Sequence, residues 1–102
     1  MPFSFGDEPV NAEEMTSAQC SVNKGDMPIV INWYFNNEKI KDMKFGISIV
    51  KTNNRINTLS IESIKAEHGG LYTCVASNKA GIANYTSALI VNGTYHIIIT
   101  IC

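Results

Sequence analysis

Through most of the chain, apolar residues return at every second position rather than at every third or fourth. That is the period of a strand with one face buried and the other wet. Thr16, Ala18, Cys20 and Val22 fall on one face, and Ser17, Gln19 and Ser21 on the other. Ile29, Ile31, Trp33 and Phe35 then alternate with Val30, Asn32 and Tyr34. Leu59 and Ile61 face inward on a later strand, with Thr58, Ser60 and Glu62 outward, and Ile64 follows as an apolar plug. Tyr72, Cys74 and Ala76 point inward on the next strand, and Leu89 and Val91 on the last. Ile47 to Lys51 is also a strand, but Phe45 to Val50 is nearly all apolar apart from Ser48, so alternation leaves its inward side insecure. Lys51 is taken as outward.

Turn residues separate these runs. Lys24-Gly25-Asp26 with Pro28, Asn36-Asn37, Asn53-Asn54 and Asn78-Lys79-Ala80-Gly81 each interrupt the alternation. At the start, Pro2 to Phe5 reads as a short strand broken at Gly6 and Pro9 and resumed at Val10 on a second sheet. Such a pattern predicts an all-β, two-layer antiparallel sandwich with Trp33, Tyr72, Leu59 and Ile61 in its core.

The chain has 102 residues, enough for one domain with a small core. Its net charge of −1 gives no case for nucleic acid or an anionic membrane as partner. Charge is uneven, however. Asp7, Glu8, Glu13 and Glu14 stand near the start, and Lys39, Lys41, Lys44, Lys51 and Arg55 crowd the middle. The plain reading is a solvated mixed surface. The sharper one is a dipolar domain able to pair with a copy of itself in antiparallel fashion. No apolar run reaches membrane-spanning length. Met1-Pro2-Phe3 lacks the basic start and apolar stretch of a secretory leader, so an engineered first methionine is expected.

Nothing in the pattern points to catalysis. No serine, histidine and acid form an assignable triad, there is no glycine-rich phosphate loop, and no histidine or cysteine pair has metal-ligand spacing. No enzyme activity, cofactor, metal or small-molecule substrate is therefore expected. His68, beside Gly69 and Gly70, is expected to lie in solvent.

Trp33 follows Cys20 by 13 positions, Cys74 follows it by 54, and Tyr72 precedes Cys74 by two. This set resembles the signature of immunoglobulin domains. The resemblance implies a Cys20–Cys74 disulfide between facing sheets, an indole packed on it, and a tyrosine hydroxyl that pins a corner. It also implies an oxidising compartment. In the alternative, a cytosolic domain, the cysteines stay reduced and pack as small hydrophobes. The 25 residues between Trp33 and Leu59 leave room for one extra short strand, which suits the intermediate immunoglobulin set better than the variable set.

Ala66 to Gly81 is similar to that set's strand signature, Asp-x-Gly-x-Tyr-x-Cys, with Gly70, Tyr72 and Cys74 in place. His68 stands where the family has aspartate, so the family's aspartate–arginine pair, for which Arg55 is the candidate here, is in question. More specifically, Pro2-Phe3-Ser4-Phe5-Gly6-Asp7-Glu8-Pro9-Val10-Asn11, the run Lys24-Gly25-Asp26-Met27-Pro28, and Ile31-Asn32-Trp33 resemble the arthropod Down syndrome cell adhesion molecule (Dscam) family, in its alternatively spliced seventh immunoglobulin domain. The short chelicerate members begin with an equivalent domain.

That resemblance implies the extracellular part of a single-pass receptor that recognises an identical copy on an opposing cell through one sheet face. It would meet a membrane only through its parent's transmembrane segment. The expected contact residues are the outward ones of the A, B, D and E strands: Ser17, Gln19, Ser21, Lys51, Thr58, Ser60 and Glu62. Across a two-fold axis Lys51 could meet Glu62. Two other readings stay open: a load-bearing module of a muscle or matrix protein, and a soluble immune receptor that binds a foreign ligand through loops.

Asn84-Tyr85-Thr86 and Asn92-Gly93-Thr94 are glycan-acceptor sequences. By alternation Asn84 points out, so a glycan there would leave the opposite sheet freer to bind. Residues 1–92 form the expected domain. The apolar tail 93–102 departs from the family, which suggests an engineered or altered terminus, and it is expected to add a strand to a sheet edge of its own or a neighbouring chain. Cys102 is the odd cysteine, open to an intermolecular disulfide.

Overall fold

The computed structural model describes residues 3–6, 9–41 and 46–91. Its strands are β1 (Thr16–Ser21), β2 (Val30–Phe35), β3 (Glu38–Lys39), β4 (Ile47–Asn53), β5 (Ile56–Ile61), β6 (Gly70–Asn78) and β7 (Gly81–Leu89). They form two antiparallel sheets, ordered β1-β5-β4 and β3-β2-β6-β7. Asn36 and Asn37 both have positive φ, 48° and 72°, as the tight β2–β3 hairpin demands. That hairpin and β4 fill the interval between Trp33 and Leu59, as the length of the interval implies.

The period-two reading holds on the strands where polar and apolar residues alternate. In β1, Thr16, Ala18 and Cys20 are buried and Ser17 and Gln19 exposed. In β5, Asn57, Leu59 and Ile61 are buried between half-buried neighbours. Trp33, Ile47, Leu59, Ile61, Ile64 and Tyr72 form the centre of the core. Cys20 of one sheet is bonded to Cys74 of the other, with Cα atoms 6.5 Å apart. The register sets Trp33 directly beside Cys74, which is why the indole lies against the cross-link. Tyr72 donates its hydroxyl proton to the His68 carbonyl at 2.7 Å. Burial pushes the Tyr72 phenol up from its ordinary value near 10, so the hydroxyl remains a donor. The sign follows: this contribution to stability is complete below pH about 10 and is lost at higher pH.

Two expectations need correction, and one open question is answered. Residues 3–6 form no strand. Gly6 instead donates its N–H to the Ser4 hydroxyl at 2.8 Å, which bends the backbone, and the two rings plug the sandwich. Phe3 meets Trp33 edge-on at 5.0 Å and Phe5 meets Tyr72 at 5.0 Å. Pro2 lies outside the described residues. At Val10 the chain makes one isolated parallel bridge, to Val91, two residues past the end of β7.

His68 is buried, only 2% exposed, rather than solvated. A single 3-10 turn, Ala66–His68, folds its ring back so that Nδ1 accepts the Lys65 N–H at 2.8 Å. The proton of the neutral ring is then on Nε2.

Arg55 is not placed to complete the family's ion pair. It lies just before β5 and donates to the carbonyls of Val22 at 3.3 Å and Gly25 at 2.8 Å. His68 lies past the other end of β5, beside Gly46. Arg55 therefore ties down the loop after β1, a task that needs no carboxylate.

Candidate functional site

The two sheets offer two outer faces, and strand pairing decides which residues share each. On the β1-β5-β4 sheet, Ser17, Ser60 and Ser48 make one cross-strand row. Gln19, Thr58 and Val50 make the next, and Ser21 and Ile56 the third. Thr58 is in the middle row of the middle strand. These rows hold no charge and, apart from Gln19 and Ile56, only short side chains. Val50 is an apolar edge to the patch, 54% exposed. Glu62 follows β5 directly and is exposed at the end of the face, where Met15, Ser48, Lys65 and Glu67 line the same shallow depression.

Lys51 is not on this face. It pairs with Asn57, and residues paired across antiparallel strands point to the same side. Asn57 points inward, since its Oδ1 accepts the Trp33 indole N–H at 3.0 Å. Lys51 thus continues the inward side of Ile47 and Ile49 and emerges at the rim, where β4 bulges between Lys51 and Asn53. Before the bulge, the outward residues of β4 are Ser48 and Val50. The two-fold partner expected for Glu62 is accordingly on a different side of the strand.

The opposite face is built on β2, β6 and β7. Val30, Ser77 and Ile82 form one row, Asn32, Val75 and Asn84 the next, and Tyr34, Thr73 and Thr86 the third. The Thr73 and Thr86 hydroxyls are hydrogen-bonded at 2.8 Å. Asn84 is exposed and outward. Asn92 and Cys102 lie outside the described residues.

The sheet order, the cross-link between β1 and β6, the indole beside it and the pinned tyrosine corner make one constellation. A family model described as "Immunoglobulin domain" matches residues 4–78. The chain belongs to the immunoglobulin-domain family. Within it, the chain is similar to the crystal structure of the Dscam1 Ig7 domain, isoform 5, with 44% identity and a TM-score of 0.88 over 90% of this chain and 93% of that one. Isoform 9 of the same domain gives 40% identity and a TM-score of 0.86 over 89% and 95%. Among whole proteins, "Cell adhesion molecule Dscam1" of Drosophila melanogaster is 40% identical over 92 residues, 90% of this chain. The chain spans 5% of that protein's length.

Two residues that hold this immunoglobulin domain together escape a reading of motifs. His68 takes the aspartate's position but works through its ring nitrogen and its carbonyl, as described above. Asn57 is the buried partner of the indole. Its signal was present in the alternation, since 57 shares parity with Leu59 and Ile61. Asn57→Ala leaves the Trp33 N–H buried without a partner and is expected to cost about 1–3 kcal/mol. Urea unfolding should show a lower midpoint with an unchanged slope. An unchanged midpoint would mean that water satisfies the indole.

Proposed function

We propose that this domain is a cell-surface recognition module that pairs with an identical copy through the outer face of β1, β5 and β4. It acts as part of the extracellular region of a receptor, and the copy it meets is on an opposing cell. The reading is supported by its similarity to domains of cell adhesion molecules. The observation that carries it is the uncharged run of short side chains across Ser17–Ser60–Ser48 and Gln19–Thr58–Val50. No ion has to be stripped of water when this face is covered, so its desolvation cost is low. Short side chains let two such sheets approach closely and exchange hydroxyl hydrogen bonds.

A two-fold contact is self-complementary. In an antiparallel pair centred on the face, Thr58 lies near its own copy, Val50 covers the partner's side of the patch, and Glu62 falls at the end. One domain buries a modest area and binds weakly, and neighbouring domains and clustered receptors raise the avidity. Isoform specificity then lies in the side chains of these rows, since a changed residue near the axis is met by the same change.

Thr58→Asp sets two carboxylates against each other in the pair. Self-association is expected to weaken at least about tenfold in sedimentation equilibrium. Ala88→Asp, on the other sheet, should leave it unchanged. The reverse ranking would move the contact to the β2-β6-β7 face and sink the proposal.

A further inference from the structure

Strand β7 borders its sheet. Among the described residues, the pairing on its far side is the single Val10–Val91 bridge, which lies past its last residue. Gly81–Leu89 is therefore, among the described residues, a nine-residue edge with no charge and no proline, touched from the opening segment by the Phe3 ring, 5.5 Å from that of Tyr85. Its register against β6 runs from Gly70↔Leu89 to Asn78↔Gly81 without a bulge. Ile82, near its start, is 73% exposed. Long, straight, neutral edges of this kind recruit foreign strands, and folded proteins blunt them with lysine, proline, bulges or a cover. Strand β7 has none of the first three.

What β7 does have is an acceptor sequence, Asn84-Tyr85-Thr86, in the middle of the strand. Asn84 is exposed, points away from the core, and stands in one row with Val75 and Asn32. We infer that Asn84 carries an N-linked glycan, that this glycan shields the strand, and that it keeps β7 and its sheet from pairing so that self-recognition is confined to the other face. The inference rests on the extracellular reading, because only chains on the secretory route meet the transferase.

In the transfer, the Asn84 side-chain nitrogen bonds to the anomeric carbon of an oligosaccharide held on a lipid pyrophosphate. The carbon–oxygen bond to the pyrophosphate breaks, and the lipid pyrophosphate leaves with that electron pair. The amide proton passes to a base of the transferase. In the folded domain the Thr86 hydroxyl is engaged with Thr73, so transfer takes place before β7 docks on β6.

The test uses the full chain behind a secretory leader, expressed in human cells, with Cys102→Ser to remove intermolecular disulfides. Release of glycans by peptide N-glycosidase in heavy-oxygen water converts an occupied asparagine to labelled aspartate. The expected result is label at Asn84, lost in Thr86→Ala. Self-association is then compared in a Thr58→Asp background, which suppresses the other face. Asn84→Gln should associate at concentrations about tenfold lower than the glycoprotein. Asn84→Lys, which restores a charge to the edge, should return to the glycoprotein's behaviour. Unlabelled Asn84 in secreted protein overturns the inference, and so does a Gln variant that associates no more than the glycoprotein. A labelled protein whose parent form never pairs through the β1-β5-β4 face would sink the adhesion reading, and with it the confinement of pairing to that face, while the glycan on Asn84 and its shielding of β7 would stand.

Discussion

Replacing Cys20 and Cys74 together by alanine is expected to lower the unfolding free energy by about 2–5 kcal/mol. The two cysteines are 54 positions apart, and the bond is the covalent tie between the sheets. Chain-entropy arguments put the effect of closing a loop of that size at about 4 kcal/mol. Both sulfurs are fully buried beside Trp33, so the alanine pair also loses packing around the indole. Domains of this size are stable by only about 5–15 kcal/mol, which makes the loss a large share of the total. Thermal unfolding should move down by roughly 4–8 °C for each kcal/mol lost. A midpoint that barely moves would show that the aromatic core alone joins the sheets.

Gly70→Ala is expected to cost about 2–4 kcal/mol, by combining backbone strain with overpacking. Gly70 opens β6 at φ 155°, in a region that side chains rarely adopt. A Cβ there would come within 2.8 Å of both the Asn36 Oδ1 and the Phe35 ring. Neither neighbour can withdraw freely. Asn36 Oδ1 accepts the Leu71 N–H at 2.9 Å, and Asn36 donates its own N–H to the Leu71 carbonyl at 2.8 Å. The Phe35 ring lies tilted against Tyr72, with centroids 4.8 Å apart. The family motif's glycine thus has a local cause in this chain: β6 passes too close to the β2–β3 hairpin for any side chain. The check is urea unfolding with heteronuclear NMR of the hairpin amides. The Asn36 and Leu71 amides should shift most. A variant as stable as the parent would mean that the hairpin moves aside without penalty.

Much of the fold was legible because most strands have one wet side. On β1 and β5 each outward residue is polar, or only half-buried, against a buried neighbour, so parity alone placed Cys20, Leu59 and Ile61. Strand β4 was harder. Its apolar run gives alternation nothing to work with, and Lys51, the first charge after it, drew the eye to the wrong side. Only the pairing with Asn57, itself located by the indole hydrogen bond, shows which way Lys51 points.

His68 misled for a related reason. Flanking glycines suggest an open loop, whereas the 3-10 turn brings the ring under the end of the sheet and satisfies it there. The opening segment, expected as a strand broken at Gly6, instead turns two rings to the core, and these do not require a ladder beside them. The contact face was legible only as a set of outward positions. Which of them form one row depends on register between strands that are far apart in sequence.

The central claim is that the rows around Thr58 meet their own copy across a two-fold axis. The direct measurement is sedimentation equilibrium of Thr58→Asp and Thr58→Lys, each with Cys102→Ser, alone and as an equimolar mixture. Each variant alone should associate at least about tenfold more weakly than the parent, and the mixture should recover, because the carboxylate of one chain then faces the ammonium of the other. A mixture no stronger than its components, or single variants that pair as the parent does, would contradict the account.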